Sequence, residues 1–159
     1  QFEEEKSHLL TDIGAYVLSI EHIGSTAVPG LAAKPVIDIL IGIRSLEDAP
    51  LFIPPLVAHG YTYISRYESE MPFRRYLQRL VNGEHTHHLH MVEPDSRFYR
   101  VQLAFRDYLR AHPETRDAYA ALKRHLAAKY RSDRTAYTDA KSSFILSVLE
   151  QCGFPKTGE

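Results

Sequence analysis

The eight residues from Val36 to Ile43 read Val-Ile-Asp-Ile-Leu-Ile-Gly-Ile, an unbroken apolar run with a single carboxylate, Asp38, set inside it. A β-branched run of this length predicts a strand, and its lack of polar alternation places it at the centre of a sheet, covered on both faces. Asp38 needs a reason to be there. A carboxylate in such a strand is costly to bury unless a cation or strong hydrogen-bond donors meet it.

The rest of the chain arranges itself around that strand. Residues 2–15 place Leu9, Leu10 and Ile13 among charged positions at helical spacing, with Gly14 weakening or ending the helix. Residues 17–23 predict a strand that stops at Gly24-Ser25-Thr26, with Pro29 and Gly30 following. Ser45-x-x-Asp48 precedes a helix over 49–59 that Pro54-Pro55 is expected to break or restart and Gly60 to close. Residues 61–67 are aromatic and β-branched enough for a further strand, and 73–81 and 86–92 flank Asn82-Gly83, the strongest short hairpin signal. Beyond Asp95 the pattern becomes helical over 97–109, 113–130 and 135–152, with Pro113 at a first helical position. Strands followed by helices, without regular βαβ alternation, predict an α+β fold: a mixed sheet, helices packed on one side and a C-terminal helical segment.

A chain of 159 residues, 44% of them hydrophobic, is expected to form one domain over 1–159. Its 19 basic and 20 acidic residues nearly balance, which gives no reason to expect general attraction to nucleic acid. The one cysteine, Cys152, allows no intrachain disulfide. No apolar run approaches the roughly 20 residues that span a bilayer, and the opening Gln-Phe-Glu-Glu-Glu-Lys is unlike a signal peptide. These features together predict a cytoplasmic protein without membrane contact.

The chemistry concentrates at the first loop. A glycine-serine pair leaving a strand offers backbone N–H groups and a hydroxyl of the kind that cradle phosphate. Gly24, with Ser25 or Thr26, would touch a phosphate, Lys34 would offset its charge, and Asp38 on the next strand would hold a metal ion bridging phosphate oxygens. In His87-His88-Leu89-His90 the twofold side-chain period puts His88 and His90 on one face, where they could ligate a metal with Asp38, shuttle protons or bind phosphate. Lys141 on the last helix and Arg74, Arg75 and Arg79 on the hairpin are further phosphate contacts, Arg75 and Lys141 being carried into the candidate site. Each has a plainer reading: a capped turn for Gly24-Ser25, a structural ion pair for Asp38, and a hydrogen-bonded pair for His88 and His90.

The segment Ile20-Glu21-His22-Ile23-Gly24-Ser25-Thr26-Ala27-Val28-Pro29-Gly30-Leu31-Ala32-Ala33-Lys34-Pro35-Val36-Ile37-Asp38-Ile39 resembles the hallmark segment of the GrpB-like family. Phe105-Arg106-Asp107-Tyr108-Leu109-Arg110-x-His112-Pro113-Glu114, Tyr119-x-x-Leu122-Lys123 and Lys141-x-x-Phe144-Ile145 are similar to its C-terminal half. The resemblance implies the nucleotidyltransferase fold, in which a glycine-serine loop holds a triphosphate and strand carboxylates hold two divalent cations. Related domains are fused to dephospho-CoA kinase. This strand departs from the pattern: Asp38 has Val36 and Leu40 where an acidic-apolar-acidic triplet is expected, and the later strand supplies histidines instead of a carboxylate.

The expectation is therefore a nucleotidyltransferase that binds a nucleoside triphosphate, with magnesium or manganese on Asp38, or zinc where His88 and His90 join it. One alternative is a non-catalytic nucleotide- or phosphate-binding module assisting a partner enzyme. Another is a metal-dependent hydrolase using His88 and His90.

Overall fold

The apolar run over 37–43 is the second strand of a five-stranded mixed sheet, and every other strand is placed by reference to it. A computed structural model describes residues 1–31 and 34–154; Ala32 and Ala33 of the GrpB-like segment and the last five residues lie outside the described part. Its elements are α1 (Phe2–Ile13), β1 (Val17–Ile23), β2 (Ile37–Ile43), α2 (Ala49–Ala58), β3 (Thr62–Tyr63), β4 (Arg74–Val81), β5 (Glu84–Val92), α3 (Arg97–Ala111), α4 (Pro113–Lys129) and α5 (Arg134–Gln151).

These residues fall into two compact units, Gln1–Ala27 with Ala33–Arg100, and Val28–Ala32 with Val101–Glu159. The first holds the sheet, in the order β1-β2-β5-β4-β3. Only the β2–β5 pairing is parallel. Strand alternation gives the sheet two distinct faces. On one, Ile37, Ile39, Ile41 and Ile43 of β2 pack with Leu89 and Met91 of β5, Leu77 of β4, Leu9 and Ile13 of α1, and Phe52 and Leu56 of α2. The other carries Asp38, Leu40 and Gly42, with His88 and His90 of β5 beside them in register.

The second unit is helical. Val28, Leu31, Leu109 and Tyr119 form its buried core, with Phe105, Phe144 and Ile145 packed against it. Arg116 ties in the segment around Pro29 by donating to the Pro29 carbonyl at 3.1 Å. Gly30 has φ +84°, and a Cβ there would sit 2.7 Å from the Arg116 guanidinium, so glycine alone lets the two meet.

Two expectations about elements need correction. Of the strand expected over 61–67, only Thr62–Tyr63 pairs with β4; Ser65–Ser69 winds into a 3₁₀ turn. Tyr61 and Ile64 are buried there as anchors for a short edge strand, so their apolar character reports packing instead of strand length. Pro54-Pro55 does not break α2, which runs through both prolines. The carbonyls they cannot bond belong to Pro50 and Leu51, both exposed, so water can satisfy them.

No described helix is long and apolar enough to cross a membrane. The core predicts a sharp contrast in stability. Ile39→Ala should cost about 2–5 kcal/mol in urea denaturation, whereas Leu18→Ala, at a position 57% exposed, should change it by less than about 0.5 kcal/mol.

Candidate functional site

Parallel pairing of β2 with β5 sets Asp38 directly opposite His88 and Leu40 opposite His90, so the twofold period delivers both imidazoles to one carboxylate. His88 Nδ1 lies 3.1 Å and His90 Nε2 3.3 Å from the same oxygen, Asp38 Oδ1. A carboxylate only accepts, so both imidazoles donate. On its other side His90 Nδ1 is 3.1 Å from Arg74 Nη1. Arginine only donates, which fixes His90 as the Nε2–H tautomer. His88 Nε2 is likewise 3.0 Å from His85 Nδ1. His85, unlike an arginine, can donate or accept, so this contact does not set a direction. The result is a network that converges on Asp38 Oδ1, with donors directed from Arg74 through His90 on one side and His88, backed by His85, donating from the other.

The electrostatics follow from burial. Burial opposes ionisation of Asp38, but the hydrogen bonds and proximity of His88 and His90 outweigh it and hold the carboxyl far below its usual range. His90 is pushed the other way from many paired histidines. Burial lowers its pKa, with Arg74 and His88 adding to the effect, and these outweigh the attraction of Asp38. His90 is therefore neutral at neutral pH. Tyr76 closes this face with its ring centroid 5.4 Å from that of His90 and 5.7 Å from that of His88. Burial first, then Asp38, pushes its phenol up to about 12.

The second carboxylate oxygen meets the glycine loop. Ile23 of β1 pairs with Asp38, so the chain turns into the loop at Gly24, directly beside the carboxyl group. Gly24 has φ +77°, and a Cβ there would come within 2.7 Å of Asp38 Oδ2. No hydrogen bond among the described residues engages Oδ2. A glycine at this point is required twice over, by backbone conformation and by the approach of the acid.

The remaining candidates divide. Ser25 and Thr26 begin a 3₁₀ turn over Ser25–Ala27 just after Gly24. Thr26 Oγ1 donates to the Val36 carbonyl at 3.2 Å and is 2.9 Å from His22 Nε2, so its hydroxyl laces the loop to both strands. Lys34 is exposed just before β2. Arg75 is not brought to Asp38. Its side chain lies on the helix-covered face, with Nε 3.6 Å from Glu68 Oε1 and Nη1 donating to the Pro72 carbonyl at 3.0 Å. Arg74 takes the place beside His90. Lys141 lies on α5 in the second unit, its ammonium 5.8 Å from the Tyr137 ring centroid and near Lys123, whose pKa burial and Lys141 both lower.

With this geometry in hand, the relatives are informative. The GrpB protein family pattern matches residues 1–151. The chain belongs to the GrpB family. It is 40% identical to the glutamate-rich protein GrpB of Alkalihalophilus pseudofirmus, covering 94% of this chain and 87% of that one. It is 41% identical to UPF0157 protein YqkA of Bacillus subtilis, covering 99% of this chain but only 45% of that longer relative. A dephospho-CoA kinase of Mycolicibacterium paratuberculosis contains a similar stretch, 31% identical over 87% of this chain and 40% of that protein. Among solved structures, GrpB from Enterococcus faecalis superposes with TM-score 0.81 at 35% identity, covering 96% and 93% of the two chains. Cid1 in complex with the UTP analogue UMPNPP has TM-score 0.53 at 17% identity, over 87% of this chain and 46% of Cid1, a likeness of fold alone. The fold of this GrpB-family chain is nucleotidyltransferase-like.

Two measurements test the site as drawn. Gly24→Ala should cost about 1–2 kcal/mol from its left-handed backbone alone, with a further loss that disappears in an Asp38→Ala background, read by urea denaturation of the double-mutant cycle. The pH dependence has a definite sign. His90 and Asp38 both have folded pKa values below their ordinary 6.5 and 3.8, so the unfolded chain binds more protons as pH falls. The melting temperature should therefore drop on acidification, first as pH passes below about 6.5 and again toward about 4. Asp38→Asn should flatten the lower part of that curve.

Proposed function

We propose that this chain is a nucleotidyltransferase whose triphosphate sits on the Gly24-Ser25 loop and whose metal ligand is Asp38 Oδ2. The observation that carries the reading is the division of labour on that carboxylate. Oδ1 is held by two imidazoles, while Oδ2 stands at the glycine turn with no hydrogen bond from a described residue.

The donor set fits a hard cation better than a histidine-bound one. Both imidazoles spend a proton on Oδ1, and their other nitrogens face Arg74 and His85, so no lone pair of either points at a shared centre. One carboxylate oxygen together with substrate phosphates and water suits magnesium or manganese. A divalent cation bound there would neutralise phosphate charge and polarise the transferred group.

The chain's own residues supply the rest. Gly24 and Ser25 hold the phosphates through main-chain N–H groups and the hydroxyl, and Lys34 offsets their charge. The acceptor's oxygen attacks the α-phosphorus, the bond between that phosphorus and its bridging oxygen breaks, and pyrophosphate leaves with the electron pair. His88 Nε2 takes the acceptor's proton once His85 swings aside, and Asp38 stabilises the imidazolium that forms. His90, buried and held neutral beside Arg74, positions Asp38 and moves no proton.

A reading without turnover has one observation in its favour: β2 carries a single carboxylate where paired acids would hold two metals. A phosphate-binding module assisting a partner enzyme would need no second acid. The fold likeness to Cid1, whose complex contains a UTP analogue, supports nucleotide binding in either case.

The deciding experiment incubates the full chain with manganese or magnesium and labelled nucleoside triphosphates in the presence of mixed small-molecule and macromolecular acceptors. Labelled product is expected, absent in Asp38→Ala and reduced about 10²–10⁴-fold in His88→Ala. Thermal stabilisation by nucleotide without product would favour the binding module. Neither product nor stabilisation at millimolar nucleotide would remove both readings.

A further inference from the structure

The opposite face of the sheet carries a second group of ionisable side chains that the Asp38 site does not use. Glu5 and His8 lie one turn apart on α1, with Asp12 one turn further along the same side. His59 caps the C-terminus of α2, and Gly60, at φ +104°, turns the chain immediately after it. The cluster opens into a concavity of about 630 Å³ that His87 and Gln1 also line.

Glu5 is 5% exposed and firmly held. Its Oε2 accepts from Tyr61 at 2.6 Å and from Arg79 Nη2 at 3.0 Å. His59 Nδ1 is 3.2 Å from Asp12 Oδ2 and His59 Nε2 is 3.5 Å from Glu5 Oε2. The carboxylate of Asp12 can only accept, so the Nδ1 proton belongs to that contact. The opposite ring nitrogen, Nε2, faces the Glu5 carboxylate and is the position that a metal ion would take in exchange for a proton. His8 Nδ1 approaches Glu5 Oε1 at 3.9 Å, too far for a hydrogen bond. The ligand atoms of Glu5, His8 and His59 all fall within 4.8 Å of one another.

We propose that Glu5, His8 and His59 form a binding site for a divalent transition-metal ion of the zinc class. Asp12 is the outer carboxylate that orients His59 and fixes its tautomer, the arrangement that metal-bound imidazoles recurrently use. Two imidazoles with one carboxylate suit zinc or cobalt better than magnesium. Ligation at about 2.0–2.2 Å requires the three groups to draw inward, and His8, 55% exposed, is free to rotate. Glu5 would offer Oε1, which accepts only the longer bond from Arg79 Nη1 at 3.4 Å, since Oε2 is taken by Tyr61 and Arg79 Nη2. Arg79 does not depend on Glu5 alone, because it also donates to the His59 carbonyl at 3.2 Å and stacks 4.4 Å from the Tyr61 ring centroid. Glu4, Glu5 and Asp12 against Arg79 leave an excess of negative charge around the pocket to receive the cation.

The site is independent of Asp38, and its test is arranged to separate the two. The full chain is stripped with a chelator and titrated with cobalt, followed by visible absorption, then challenged with zinc. One equivalent of cobalt should give ligand-field bands that zinc abolishes. His8→Ala and His59→Ala should weaken binding at least about tenfold, and Asp12→Asn by about 10–100-fold, while Asp38→Ala binds as the unaltered chain does. His8→Ala decides the matter if His59→Ala fails to fold, since the His8 side chain is mostly in solvent. No binding of cobalt or zinc at millimolar metal overturns the proposal. So does binding that survives His8→Ala, or binding that Asp38→Ala removes.

Discussion

The constraint on which this fold turns is one ionised, half-buried acid set within an otherwise apolar strand of its sheet. Asp38 replaces an apolar side chain in a strand whose neighbours Ile37, Ile39, Leu40 and Ile41 are buried. Without donors such a carboxylate would be neutral or the strand unstable. Two imidazoles on the adjacent parallel strand supply those donors, and Arg74 on the next strand dictates which proton His90 gives. One charge thereby links β2, β5 and β4 through polar contacts as well as backbone pairing, and a loss at any member is felt by the others.

The price of that arrangement is local and directional. His90 is kept neutral by burial and by a neighbouring guanidinium, although it touches an anion. His88 is more open, with 26% of its side chain exposed against 12% for His90. Two histidines related by a two-residue step on one strand thus hold the same oxygen of the acid from environments that differ in exposure.

Much of this was legible beforehand. The apolar run, the Asn82-Gly83 hairpin, the glycine loop and the three C-terminal helices are local patterns, and the elements observed match them to within about two residues. What local pattern could not reach was Arg74. An ideal two-residue hairpin starting from Val81 opposite Glu84 would set Arg75 opposite His90 and so on the same face. A bulge between Arg79 and Leu80 shifts the register by one, sets Tyr76 opposite His90, and exchanges the two arginines between faces. The cluster of Glu5, His8 and His59 was likewise invisible, because α1 and the end of α2 are separated by most of the first half of the chain.

The sequence by itself determined the helices, every strand but the short third one, and that a lone acid in an apolar strand needs a cation or strong donors, since those follow from periodicity and the cost of burying charge. Only the tertiary structure decided that β2 and β5 run parallel with Asp38 opposite His88, that Gly24 yields its missing Cβ to the acid, and that Arg74 completes the network. Strand direction and register depend on contacts between residues distant in the chain, and a one-residue slip there moves every side chain to the other face.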